Sequence, residues 1–135
     1  MNLGDVMDDL GEALGTITGL RVFPYWADKI VPPAAIVGFP ESIDYDETMG
    51  RGADHLQLPV IVVVARRDGR SSRPRLTKYV AGSGADSVKA AIEGYDATAY
   101  HSARVERVEF GTASIAGVEH LSATFDVDVI GRGGA

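Results

Sequence analysis

Leu3, Val6, Met7, Leu10 and Leu14 recur at intervals of three and four, and Asp5, Asp8, Asp9 and Glu12 fill the other side. That spacing puts the aliphatic residues on one face and predicts a helix over Asn2–Leu14. Acids near its start complement the helix dipole, and Gly15 is placed to stop it. Near the other end of the chain the period changes to two. Leu121, Ala123, Phe125, Val127 and Val129 alternate with Ser122, Thr124, Asp126 and Asp128, the pattern of a strand with one apolar and one wet face.

Between these two stretches the pattern is broken by proline and glycine. Leu20–Phe23 and Ala34–Phe39 read as short strands. Their link, Pro24–Pro33, contains Pro24, Pro32 and Pro33, which exclude ladder hydrogen bonding at their own positions. Pro40–Asp54 has few aliphatic residues and predicts a long loop or an open hairpin arm, a kind of segment that commonly serves binding. His55–Arg66 is the strongest strand. Its run Val60–Ala65 predicts burial on both faces, and Pro59 predicts an edge position or a bulge. Arg66–Arg75 reads as a loop turning at Gly69, with Pro74 at the first helical position. Leu76, Tyr79 and Val80 mark a helical face that Gly82-Ser83-Gly84 breaks. Ser87–Glu93 resumes it, with Ser83 or Asp86 as the cap and Val88, Ala91 and Ile92 inward. Ala103–Phe110 and Val118–Ile130 predict a hairpin across Gly111–Gly117, and Gly131–Ala135 a flexible tail. The order α-β-β-β-α-β-β predicts a single α+β domain over 1–135. Two helices pack on one face of a largely antiparallel sheet of about five strands.

Composition narrows the chemistry. The chain has 135 residues and no cysteine, which removes disulfides, thiolate metal sites and cysteine nucleophiles together. A formal charge of −6 argues against general nucleic-acid binding, which needs a basic surface. No apolar run approaches the roughly 20 residues of a membrane span. The acidic first residues lack the basic start of a secretory signal.

Candidate catalytic and metal motifs do not assemble. His55, His101 and His120 have no ligand neighbour at metal spacing. Asp44-x-Asp46-x-Thr48 begins like a calcium loop, but Met49 stands at its sixth position and His55 at its twelfth, where glycine and glutamate are needed. Gly82-Ser83-Gly84 interrupts a helix instead of joining a strand to one, and no Lys-Ser/Thr pair follows it. There is no Gly-x-Ser-x-Gly elbow. The acid pairs Glu106/Glu109 and Asp126/Asp128 fall on exposed strand positions. The expectation is a protein without catalytic residues, metal or cofactor.

Charge is unevenly placed. Five of the 13 basic residues, Arg66, Arg67, Arg70, Arg73 and Arg75, fall within ten positions, and the first twenty residues hold four acids and no base. Arginine binds carboxylates through a planar fork, so this loop is either solvated or faces an acidic helix or the Asp44–Glu47 loop of another subunit or protein. Arg51 lies in the same acidic arm as Asp44, Tyr45, Asp46 and Glu47. Tyr25 and Trp26 either fold back over one end of the core or form an intersubunit contact, where such aromatics are favoured.

Several segments, in order and spacing, resemble the tail terminator (tail completion) proteins of long-tailed bacteriophages, actinobacteriophage type. They are the N-terminal helix, Gly19-Leu-Arg-Val22, Pro33-Ala-Ala-Ile-Val-Gly38 and the arm Ile43–Asp54. The strand Leu56–Ala65, Leu76–Tyr79, Gly82–Ile92 and the closing Phe125-Asp-Val-Asp-Val129 complete the set. The likeness covers most of the chain, although each piece consists of packing and turn residues. It implies a small α+β subunit of a hexameric ring at the head-proximal end of the tail. Such a ring stops polymerisation of the major tail protein, offers a docking surface to the head–tail stopper or connector, and lets DNA pass through its lumen. The implied location is the virion tail at the neck, after assembly in the host cytoplasm, with no membrane. Asp126 and Asp128 are then candidates for the lumen face, and Pro40–Asp54 for the element reaching a neighbour. The rival readings are a head–tail stopper or adaptor, a small non-enzymatic binding module, and a small enzyme.

Overall fold

The computed structural model describes residues 2–23, 30–45, 53–66, 69–115 and 117–132. Helix α1 spans Leu3–Gly15, and the Asn2 side chain accepts from the Asp5 amide at 3.1 Å. Val6, Leu10, Ala13 and Leu14 are buried, as the three-and-four spacing requires. Gly15 belongs to the helix and does not stop it. Thr16 is the C-cap, its hydroxyl donating to the Ala13 carbonyl at 2.7 Å. The left-handed conformation falls later, at Gly19 (φ 84°), where the chain turns into the first strand.

The strands are β1 (Arg21–Phe23), β2 (Ala34–Val37), β3 (Ile43–Asp44), β4 (Ala53–Arg66), β5 (Ser102–Ile115) and β6 (Val118–Arg132). Among the described residues they form a six-stranded sheet in the order β1-β2-β4-β6-β5, with β3 also on β4. All neighbours are antiparallel except β1 and β2. Helices α2 (Ser72–Val80) and α3 (Val88–Glu93) lie between β4 and β5 in sequence. This is the α+β arrangement of helices packed on a largely antiparallel sheet, with the second predicted helix realised as two short ones.

The alternation of side chains assigns each residue to a face. Leu56, Leu58, Val60, Val62 and Val64 of β4, with Ala123, Phe125, Val127 and Val129 of β6, meet Leu10 and Leu14 of α1, Leu76 and Tyr79 of α2, and Val88 and Ile92 of α3. On the opposite face a smaller cluster of Ile30, Ala34, Ile36 and Val63 is flanked by Phe23, Ile61, Ala113 and Ile115. The predicted two-sided burial of the β4 run therefore has two separate causes: the helix layer on one side and this second cluster on the other.

Four local expectations are corrected. Pro59 lies in a central strand, and the irregular register of β4 against β6 falls between Val63 and Arg66, not at the proline. Within a strand a residue's N–H and C=O point the same way. The Pro59 carbonyl accepts from the Gly38 amide at 2.8 Å, so its absent N–H faces the gap where β2 has ended and β3 has not begun. Only the reciprocal bond of the Gly38–Pro59 pair is forgone, just past the end of the β2 ladder. Strand β5 continues through Gly111 to Ile115, leaving only residues 116–117 between the hairpin strands, because Thr112, Ala113 and Ile115 keep pairing with Leu121, His120 and Val118. Pro74 is the third helical residue, where helix N–H groups still lack intrahelical partners. The cap of α3 is Ser87, whose hydroxyl oxygen accepts from the Ala90 amide at 3.1 Å, in place of Ser83 or Asp86.

Candidate interaction surface

The sheet face turned away from the helices changes character along its length. Its apolar half is the second cluster. Its other half carries His55 and Gln57 of β4, Asp126 and Asp128 of β6, and Arg104, Arg107 and Glu109 of β5. The register sets Gln57 opposite Asp128, Asp128 opposite Arg104, and Asp126 opposite Arg107.

A bulge makes this row. Val105 points to the helices, and strict alternation would send Arg107 the same way. The register shift between Val105 and Arg107 inserts Glu106 and turns Arg107 to the opposite face. There its Nε donates to Asp126 Oδ2 at 2.8 Å, and its Nη2 lies 2.8 Å from Glu109 Oε1. The Asp126 hydrogen bond first, and the Glu109 charge next, push the guanidinium pKa above its ordinary value. Gln57 Nε2 donates to Glu106 Oε2 at 3.1 Å, and His55 Nε2 contacts Asp128 Oδ1.

The carboxylates predicted on a wet face are thus engaged. Asp128 is 16% exposed and Asp126 35%. Ser122 is buried because it stands opposite Val63, inside the second cluster's half of the face. Beside the row, where β2 gives way to β3, lies a groove of about 430 Å³ lined by Phe39, Glu41, Ser42, Gln57, Pro59, Arg107 and Asp126, among others. Phe39, predicted to end a strand, lies outside β2 and is 71% exposed. Sequence reasoning missed this groove. Its one signal was an aromatic residue between Gly38 and Pro40, a place where a strand must end.

The arm is a hairpin at its base. Ile43 pairs with Leu56 and Asp44 with His55, and Tyr45 just beyond is 70% exposed. Of the other predicted contact residues, Tyr25, Trp26, Asp46, Glu47, Arg51 and Arg67 lie outside the described residues. Arg66 ends β4, Arg70 precedes α2, and Arg73 and Arg75 are helical; all four are exposed. The predicted arginine loop is therefore largely a strand end and a helix. It is tied by the Gly69 amide, which donates to the Arg66 carbonyl at 2.9 Å, and by the Ser72 hydroxyl, which donates to the same oxygen. Leu76 and Tyr79 supply the inward face that makes Ser72–Val80 helical.

The acidic side of α1 is partly used within the chain. Asp9 Oδ2 accepts from the Thr98 and Ala99 amides at 3.2 and 3.0 Å, and Glu12 Oε2 accepts from the Tyr95 hydroxyl. That last bond, with burial next, pushes the Tyr95 phenol up to about 12. Burial, and then the Asp9 charge, do the same to Tyr100, whose hydroxyl has no hydrogen-bond partner among the described residues. Beside them, burial disfavours the charged form of Glu93. Hydrogen bonds from Lys89 and the Val105 amide outweigh it and hold the carboxyl below the usual range.

Among the described residues no group of three or more His, Asp or Glu is placed to hold a metal ion, and no helix is long and apolar enough to cross a membrane. The arrangement offers surfaces: an aromatic groove with carboxylates, an exposed hairpin base, and a basic helix. Compared with known protein families and with curated proteins, the sequence matches none.

Proposed function

We propose that this protein is a structural subunit of a bacteriophage tail, acting as a tail terminator. Copies form a ring at the head-proximal end of the tail tube, stop its growth and present a docking surface for the head connector. The observation that carries the reading is the division of the molecule into a helix-covered face and a face of exposed groove and hairpin base. Phe39 stands in solvent at the groove and Tyr45 just beyond the hairpin base, although side chains of that size usually gain by being covered. Of the segments that resemble tail terminators, Ile43–Asp54 supplies Tyr45, Leu56–Ala65 supplies Gln57 and Pro59, and Phe125–Val129 supplies Asp126, while Phe39 directly follows Pro33–Gly38. Function in this reading comes from shape and surface, with no bond made or broken by the chain.

The test is incubation of the purified protein with polymerising major tail protein. A terminator caps tube ends and arrests elongation, and gold-labelled protein appears at one end of each tube in electron micrographs. Tubes that grow to the same length with and without it, bearing no label at their ends, reject the proposal.

A further inference from the structure

We propose that the chain associates with itself head to tail, the basic surface of α2 in one copy seating on the Phe39 groove of the next. The donor surface is Arg70, Arg73, Arg75 and Lys78, all exposed, in a stretch from Gly69 to Val80 that contains no acid. None of the four forms an ion pair among the described residues. The acceptor surface surrounds the groove. Glu41, Asp44, Glu106, Glu109, Asp126 and Asp128 share the sheet face opposite the helices, against the two guanidiniums Arg104 and Arg107. Phe39 supplies an apolar centre on which an arginine plane can stack while neighbouring forks take carboxylates.

One chain cannot satisfy itself. The groove and α2 lie on opposite faces of the sheet. Asp44 pairs at His55, near one end of β4, and Arg66 ends the other. At a strand rise of about 3.3 Å per residue those positions are roughly 35 Å apart. Two unlike, complementary patches on opposite faces make a heterologous contact, which repeats and closes into a ring when its rotation permits. The contact itself needs nothing beyond the charges and the groove; only its closure rests on the ring reading above.

Sedimentation velocity and native mass measurement on the full chain test it. Wild type self-associates, and the association weakens as salt rises. Changing Arg73→Glu, Arg75→Glu and Lys78→Glu together raises the apparent dissociation constant by roughly 100-fold, as does Phe39→Ser with Glu41→Lys. Mixing these two variants leaves one intact pair of surfaces and yields a 1:1 dimer that grows no further. A circular-dichroism melt checks that each variant is folded. If the reversal unfolds the chain, Arg→Gln and Lys→Gln replacements at the same positions take its place.

The proposal is overturned by a wild-type chain that stays monomeric at millimolar concentration, or by helix variants with the wild-type mass distribution. Loss of retention on DNA with mass unchanged also overturns it, and assigns the basic helix to nucleic acid. A monomer that still caps tail tubes would sink this interface and leave the terminator reading intact. A self-associating chain that caps nothing would do the reverse.

Discussion

The Gly38 amide donates to the Pro59 carbonyl at 2.8 Å, and a Cβ on Gly38 would lie 2.6 Å from Pro59 Cγ and 2.9 Å from that same carbonyl oxygen. The two residues lock the place where β4 passes from one partner strand to the next. Gly38→Ala is expected to destabilise the fold by about 1–3 kcal/mol, the usual range for forcing an atom into a packed site. Urea unfolding measures this. Adding Pro59→Ala removes the ring clash but not the carbonyl clash, so it restores only part of the loss.

Phe125 is almost fully buried in the middle of β6, facing the helix layer. Phe125→Ala should cost about 3–5 kcal/mol and Leu10→Ala about 2–5 kcal/mol, because each leaves a cavity that the sheet cannot close. Denaturant midpoints at unchanged slope would show the loss. A Phe125→Ala chain as stable as wild type would contradict the central placement of this residue.

Asp9 holds the connector between α3 and β5 through two backbone amides. Asp9→Ala leaves those amides without a partner from α1, at a cost of about 1–2 kcal/mol. Amide exchange at Thr98 and Ala99 should quicken more than elsewhere in the chain. Uniform quickening would instead indicate a general loss of stability.

Alkaline pH should loosen the same region. Tyr95 and Tyr100 titrate near 12 in the fold, against about 10 in an unfolded chain. The folded state therefore holds more protons between those values, and stability, fully present below about pH 10, is lost as pH climbs toward 12. Tyr100→Phe and Tyr95→Phe should each flatten that loss. At pH 7 they part company: Tyr100→Phe removes an unpartnered hydroxyl and leaves stability level or higher, whereas Tyr95→Phe gives up its bond to Glu12. Melts at pH 7 and pH 11 separate the two.

The sequence carried the elements whose evidence is local. The α1 spacing and the β6 alternation are complete within their own segments, so both were readable without knowing any partner. What was missed depends on pairing between distant segments. Gly111 reads as a turn residue, yet it continues a strand because Ser122 is opposite. Pro59 reads as an edge residue because the gap it faces is made by Gly38–Ser42 on another segment. His55 meets Asp128 across 73 positions, and Arg107 reaches Asp126 only through a one-residue bulge that period counting cannot show. The arginine-rich stretch was visible as a charge cluster, but its division into strand end and helix required Leu76 and Tyr79 to be recognised as starting their face at Ser72.

The separation of Arg66 from Asp44 along β4 has an effect that begins before any contact. The basic surface of α2 and the carboxylates around the groove, set apart in this way, would give this pair of patches an electric moment. A second molecule drifting into that field in dilute salt is turned by it while still in solution. If copies join as proposed, their encounters would be aligned nose to rear in advance, and association would be faster than random tumbling allows.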